Sequence, residues 1–140
     1  MDTTQIDDAM SRDACLRKTY GGTWSIDNFP AWSSDPCCYI INLSPSWHRG
    51  SHWTAVYRDK HRCEYFCSYG SRAPKEIRRL MGRNYSESGV QLQTKYSDLC
   101  GQYCILYIMC RCRGGSLNDF LDCFSGNCVV NDYIICDFFK

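Results

Sequence analysis

The sequence predicts an α+β fold, with a small mixed sheet in the middle of the chain and helices at both ends. Between Thr4 and Thr19 the apolar residues recur at helical spacing, which indicates an amphipathic first helix. Short β-branched and aromatic segments follow between Cys38 and Cys67, and a longer apolar run without proline extends from Cys100 to Cys112. The length suits one hydrophobic core, so we expect residues 1–140 to form a single domain.

Three segments in the middle of the chain predict neighbouring strands. Residues Cys38 to Leu43 are apolar and β-branched, which is typical of a buried strand, and a loop over 47–51 follows. Residues His52 to Arg58 alternate in polarity, and Arg62 to Cys67 continue after a short polar turn, so these two segments predict an antiparallel hairpin. His52 begins one strand and Cys67 ends the other, and such positions meet at the same edge of a sheet.

The remaining segments predict elements around this hairpin. Residues Pro74 to Met81 indicate a short basic helix, and Gly89 to Thr94 a further strand. Ser116 is a residue type that caps helices, so a helix is expected from there to Phe124. Residues Val129 to Phe138 fit either a helix or a mixture of helix and strand.

The start of the central apolar run places a cysteine at the beginning of a helix. Ser97 and Asp98 are residue types that accept hydrogen bonds from the first free backbone amides, which puts Cys100 in the first turn. The positive end of a helix favours a thiolate and lowers a cysteine pKa below about 8.5. Cys100 is therefore a candidate nucleophile, and the alternative is a buried structural cysteine.

Other polar residues are expected to converge on this cysteine. Gln93 lies just before the loop that leads to Cys100, while His52 and Cys67 share one edge of the predicted sheet. A thiolate, an imidazole base and an amide that can donate to an oxyanion are the working groups of a cysteine hydrolase. The alternative for His52 is a histidine at the sheet edge that only satisfies a backbone group.

The cysteine pattern predicts neither a disulfide scaffold nor a metal site. The chain has twelve cysteines, but its N-terminal segment is polar and acidic without the apolar stretch of an export signal, so we expect reduced thiols in an intracellular, non-secreted protein. None of the cysteine pairs has the two-residue spacing of zinc knuckles. No stretch is long enough to span a bilayer, so no membrane partner is expected.

The charge pattern argues against a protein that coats nucleic acid, because the formal net charge is +1. The predicted basic helix is the exception, with Lys75, Arg78, Arg79 and Arg83 close together. A solvated helix face is the favoured interpretation of this run, and weak DNA binding is the alternative.

Several motifs in chain order resemble the adenovirus-type maturation protease. They are His52-Trp53 at a strand start, the pattern from Tyr65 to Gly70, and Gln93 followed after six residues by Cys100-Gly101. The wider group includes proteases of Polinton or Maverick elements and adintoviruses, and the SUMO-specific proteases, which usually have five residues between the glutamine and the cysteine. Further matches lie at Tyr20-Gly21-Gly22, Asp27, Pro30, Tyr39 to Asn42, and Asn131-Asp132.

This resemblance implies a papain-like, adenain-like cysteine protease fold and a role for each site residue. It makes Cys100 the nucleophile, His52 the general base, and Gln93, with the Cys100 backbone amide, the donor to the oxyanion. Cys67 occupies the position where the family has Asp or Glu. A thiol orients the histidine poorly, so the resemblance implies reduced rather than absent activity. Glu64 is expected to point to the opposite face of the strand, away from the histidine.

The function implied is a cysteine endopeptidase that cleaves viral or virus-like precursor proteins, including virion proteins, after small residues such as glycine. Two alternatives remain: an isopeptidase specific for SUMO or another ubiquitin-like modifier, and a degenerate protease that acts as a binding module because Cys67 replaces the acid. We expect the protein to need no cofactor, although the resemblance implies that a peptide or DNA could activate it. A monomer in the host nucleus or in the virion is expected.

Overall fold

The structure, a computed structural model, describes residues 1–47 and 52–140. In these residues the chain forms a mixed five-stranded sheet with strands in sequence order. The first and last neighbouring pairs are parallel, and the two central pairs are antiparallel. The strands are β1 (Tyr20–Ser25), β2 (Cys37–Asn42), β3 (Trp53–Arg58), β4 (Cys63–Phe66) and β5 (Ser86–Glu87).

Helices precede and follow the sheet, as the sequence predicts for an α+β fold. Asp2 starts the first helix, because its side chain accepts from the Gln5 amide while the Gln5 side chain accepts from the Asp2 amide. Ser116 forms the same reciprocal arrangement with Asp119 and confirms the predicted cap. The helices are α1 (Thr3–Ser11), α2 (Lys75–Met81), α3 (Cys100–Cys112), α4 (Leu117–Leu121) and α5 (Cys128–Phe138).

Both faces of the sheet are covered, which explains why β2 is buried at every position. On one face Ile40, Ala55 and Phe66 pack against α3, where Tyr107 stacks on Phe66 at 4.8 Å between ring centroids. The other face forms a second cluster in which Ile77 of α2 takes part. That cluster also contains Tyr39, Ile41, Val56, Tyr65 and Cys67.

Several predicted boundaries are wrong. Residues Gly89 to Thr94 form no strand; the backbone N–H groups of Leu92 and Gln93 both donate to the Ser68 carbonyl, so this segment is held by one distant carbonyl rather than by a ladder. The first helix ends at Ser11 instead of Thr19. The open choice for the C-terminal segment is settled, because α5 is helical throughout.

The β3–β4 hairpin is antiparallel, as predicted, and it brings the positions of His52 and Cys67 to the same edge of the sheet. Ala55 pairs with Phe66, so the residues just before β3 lie beside those just after β4. The start of α3 reaches the same end of the sheet, where the backbone N–H of Trp53 donates to the thiol of Cys100. Residues 48–51 of the predicted loop lie outside the described residues. Within the described residues, no helix combines the length and apolar character that crossing a membrane requires.

Candidate active site

His52 and Cys67 are in direct contact at the edge of the sheet. His52 immediately precedes β3 and Cys67 immediately follows β4. The Nε2 atom of His52 lies 3.3 Å from the Sγ atom of Cys67. The imidazole also stacks on Tyr69, with 4.6 Å between ring centroids. The hairpin therefore brings these two predicted residues together, and Tyr69 fixes the plane of the ring.

Cys100 is the first residue of α3, and its thiol contacts the backbone of Trp53, the residue that follows His52. Its Sγ atom accepts a hydrogen bond from the Trp53 amide at 3.4 Å, and only 6% of the residue is exposed. The Nδ1 atom of His52 is buried without a hydrogen-bond partner. If Nε2 carries the proton that faces Cys67, Nδ1 has a free lone pair, which is the protonation state that a general base needs.

The local start of α3 differs from the prediction. Leu99 occupies the N-cap position without a side-chain hydrogen bond, so the predicted capping by Ser97 and Asp98 is wrong. Ser97 instead accepts hydrogen bonds from Gln93 through its carbonyl and its hydroxyl. Two polar residues ahead of a helix predict a cap, but here the buried amide of Gln93 binds the hydroxyl and the carbonyl of Ser97.

Burial controls the protonation of both candidate catalytic groups. It raises the pKa of the Cys100 thiol, although hydrogen bonds from the Trp53 and Gly101 amides favour the thiolate. Burial also lowers the pKa of His52 to about 4. At neutral pH the structure therefore holds a thiol and a neutral imidazole. The predicted lowering of the Cys100 pKa is wrong, because desolvation outweighs the helix N-terminus.

Gln93 is fully buried and close to the start of α3. Its Oε1 atom accepts from the Ser68 hydroxyl at 2.6 Å, and its Nε2 atom donates to the Ser97 carbonyl at 2.9 Å. Ser97 lies three residues before Cys100. The sequence places Gln93 on a strand, whereas the structure holds it by these side-chain contacts on an irregular segment.

Helix α5 fixes the segment that carries Gln93. The Asn131 side chain donates to the Leu92 carbonyl at 3.1 Å. The Asp132 carboxylate accepts from the Thr94 hydroxyl at 2.7 Å and from the Tyr103 hydroxyl at 2.8 Å. Asn131-Asp132 carries part of the family resemblance, but the sequence alone does not show that these residues act as a clamp.

The structure supplies no carboxylate partner for the histidine among the described residues. Glu64 lies on the α3 face of the sheet, where it accepts from the Tyr107 hydroxyl at 2.6 Å and pairs with Arg111 at 3.0 Å. Asp59 lies in the hairpin turn and pairs with Arg111 at 3.6 Å. Both carboxylates are engaged away from His52, so the thiol of Cys67 remains the neighbour of its Nε2 atom.

A groove of about 390 Å³ adjoins the histidine through Tyr69. Ser71, Gln91 and Lys95 complete its lining. Tyr69 faces both this groove and the imidazole, so a peptide placed there would pass beside the candidate base. Apart from Tyr69, which belongs to the Tyr65 to Gly70 pattern, nothing in the sequence identifies these residues as a group.

The cysteines contribute no other recognisable centre. All twelve are free thiols in the structure. Within residues 1–47 and 52–140, no three His, Cys, Asp or Glu side chains are grouped so that they could hold a metal ion.

The sheet order, the flanking helices and the cysteine that starts α3 define the fold class. This mixed α+β fold is also found in a solved protease structure. A solved structure of ASFV pS273R protease matches with a TM-score of 0.64 and 18% sequence identity, over 85% of this chain and 60% of that chain. At this identity the likeness establishes the fold.

A second solved structure of ASFV pS273R protease, in its selenomethionine form, matches with a TM-score of 0.48 and 25% identity, over 61% of this chain and 38% of that chain. The present chain thus matches at most 60% of the length of that protease. No protein-family model and no curated protein sequence matches the chain.

Proposed function

We propose that this protein is a cysteine endopeptidase in which Cys100 is the nucleophile and His52 the general base. The observation that carries the proposal is that the Cys100 thiol lies against the backbone of the residue that follows His52. The Cys100 thiol contacts the amide of Trp53, the residue next to His52, and the Nδ1 atom of His52 is buried and unpartnered. A nucleophile beside an oriented base is the arrangement that thiol hydrolases use.

The reaction follows from the protonation states. As the Sγ atom of Cys100 attacks the scissile carbonyl carbon, its proton passes to Nδ1 of His52, and the carbonyl oxygen becomes an oxyanion. The backbone N–H of Cys100 and the amide of Gln93 donate to that oxyanion. The imidazolium then protonates the leaving amine, and the imidazole activates the water that hydrolyses the thioester. Binding of the substrate brings Nδ1 and Sγ into the hydrogen-bond contact that this proton transfer needs.

The proposed substrate class is a viral or virus-like precursor protein, cut after a small residue in the manner of adenovirus-type enzymes. The low exposure of Cys100 favours a residue without a side chain before the cut. The six-residue spacing from Gln93 to Cys100 favours this type over the SUMO-specific enzymes. The rival function is a binding module without catalysis, and it is favoured by the thiol of Cys67 at the acid position.

Covalent probes distinguish these functions. The first probe is a peptide ending in Gly-Gly with a C-terminal vinyl sulfone, and the second is full-length SUMO with the same group. We expect the peptide probe to add to Cys100, as measured by intact mass and peptide mapping. The adduct should disappear in Cys100→Ala and persist in Cys15→Ala, which removes an exposed thiol and serves as the matched control.

The other labelling results would support one of the two alternative functions. Labelling by SUMO alone would identify a modifier-specific isopeptidase. If neither probe labels Cys100 while iodoacetamide still modifies the exposed Cys15, the thiol is not a catalytic nucleophile and the binding-module function is favoured.

A further inference from the structure

The side chain of Gln93 is buried with every polar atom engaged. Its oxygen accepts from the Ser68 hydroxyl at 2.6 Å. Its nitrogen donates to the Ser97 carbonyl at 2.9 Å and to the Ser97 hydroxyl at 3.0 Å. An amide nitrogen carries two hydrogens, so two serines together satisfy both ends of this side chain.

The chemistry of these partners fixes which end of the amide faces α3. The backbone carbonyl of Ser97 can only accept a hydrogen bond, so the NH₂ group must point toward it. The Ser68 hydroxyl can donate, and it binds the oxygen at the other end. Rotation of the amide by 180° would set two acceptors against each other at Ser97. The orientation of Gln93 is therefore determined by the surrounding groups.

The NH₂ group points toward the segment that leads into α3, but its hydrogens are already used. Ser97 lies three residues before Cys100 and supplies both acceptors. For Gln93 to donate to an oxyanion at Cys100, one of these acceptors has to leave. The hydroxyl can turn about its own side-chain bond, whereas moving the carbonyl requires the backbone of the helix entry to shift.

We propose that the Ser97 hydroxyl occupies the oxyanion-binding donor of Gln93 in the resting protein, and that substrate displaces it. The Ser97 carbonyl keeps one amide hydrogen in place, and Ser68 acts as a positioning residue that aims the other hydrogen. This inference rests on the proposed protease function, because it assigns the displaced hydrogen bond to the substrate oxyanion. The Ser97 hydroxyl then competes with the oxyanion of the transition state for one hydrogen of Gln93. Ser68 helps to stabilise the transition state by orienting the amide.

Two substitutions separate these roles in the full chain. Ser97→Ala removes the competing hydroxyl, so kcat for a Gly-Gly aminocoumarin peptide should rise about threefold to tenfold, the size expected for one hydrogen bond. Ser68→Ala removes the hydrogen bond that holds the amide oxygen, so the amide is held at one end only and kcat should fall about tenfold to a hundredfold with little change in KM. Ser68→Thr restores the hydroxyl and should recover most of the loss. Ser11→Ala, an exposed serine on α1, is the matched control.

A readout without substrate separates this inference from the protease function. The side-chain amide of Gln93 gives a pair of ¹⁵N–¹H resonances that Gln93→Glu identifies. In Ser97→Ala one of the two proton resonances should shift and exchange faster with water, and in Ser68→Ala both should change. Ser11→Ala should leave both unchanged.

Each result decides between the two claims. Amide resonances that stay unmoved in Ser97→Ala, or a kcat that falls in that variant, would overturn the competing role. A Ser68→Ala variant with wild-type kcat would overturn the positioning role. A wild-type protein that cleaves no peptide and takes up no vinyl sulfone overturns the protease function, while a shifted Gln93 resonance in Ser97→Ala still supports the contact described here.

Discussion

Cys67 is in direct contact with the candidate general base. Its thiol lies 3.3 Å from Nε2 of His52, at the position where the resembling family has a carboxylate. Ser88 holds this residue in place, because its hydroxyl lies 3.1 Å from the Cys67 amide nitrogen and 3.2 Å from the Cys67 carbonyl oxygen. The backbone at Cys67 is thus held through both its N–H and its carbonyl group.

The variant Cys67→Asp should increase turnover. A carboxylate within hydrogen-bond distance of the imidazole orients it and raises its pKa by about 1 to 3 units. Peptide cleavage by wild type, Cys67→Ala and Cys67→Asp tests this expectation, and Cys67→Ala is the control that removes the thiol without adding an acceptor. Equal turnover in all three would mean that Cys67 only fills space. Denaturation curves should accompany the rates, because a newly buried carboxylate can reduce stability.

The pH profile of wild type should reflect the burial of His52. With a folded pKa of about 4, the imidazole remains an unprotonated base at any pH well above that value. Activity should therefore fall as the pH drops through about 4, rather than near the usual histidine value of about 6.5. The acid limb of kcat/KM gives this pKa directly. It should move to higher pH in Cys67→Asp, and a wild-type limb near 6.5 would contradict the neutral, desolvated imidazole described here.

At the scale of elements, regular periodicity made the strands of the hairpin and the central helix predictable. The Cys100 helix and the β3–β4 pair carry clear apolar patterns, so their meeting at one sheet edge follows from the sequence. The segment around Gln93 was not predictable in the same way. Its backbone is fixed by the Ser68 carbonyl and by side chains of α5, and contacts between residues far apart in sequence leave no periodic signal.

Helix α2 and the residues just after it carry the basic residues that the sequence identifies. Lys75, Arg78 and Arg79 on α2 and Arg83 after its end are exposed. The Arg78 side chain also donates to the Ala73 carbonyl at 2.8 Å. A face with few exposed cations gives weak, sequence-independent contacts to phosphates at most. The alternative of weak DNA binding predicts that duplex DNA binds at low salt and dissociates by physiological salt, as measured by fluorescence anisotropy.

The same titration on a double variant, Lys75→Gln with Arg79→Gln, serves as the comparison and should show weaker binding at low salt. Binding that persists unchanged between low and physiological salt would rule out an electrostatic contact. Binding absent at low salt would leave α2 as a solvated face.

At the scale of the whole molecule, a buried charge cluster joins the hairpin to the far end of α3. Arg111 pairs with Glu64 and Asp59, donates to the Gly115 carbonyl at 2.7 Å, and lies over the ring of Tyr57 at 4.2 Å. The sequence shows only an arginine near a helix end. The burial of Arg111 could not be predicted from the sequence, because charged side chains are seldom inside a core. It results from the packing of the hairpin against α3.

Removing this arginine should destabilise the fold. Arg111→Ala leaves the buried Glu64 carboxylate without its cation, which costs about 3–5 kcal/mol in free energy of unfolding. Arg113→Ala is the matched control, since that arginine is half-exposed in its pair with Asp13 and should cost at most about 1 kcal/mol. Chemical denaturation of both variants measures the difference, and equal losses would show that the buried cluster contributes no more than a surface pair.

The central claim, that Cys100 carries out nucleophilic catalysis with His52, is tested most directly by trapping the acyl-enzyme. Wild type is mixed with a Gly-Gly aminocoumarin peptide, quenched in acid during the first turnover, and mapped by mass spectrometry. We expect a thioester on Cys100 that is absent in Cys100→Ala and strongly reduced in His52→Ala. An acyl group on Cys67, or cleavage that persists in Cys100→Ala, would contradict it.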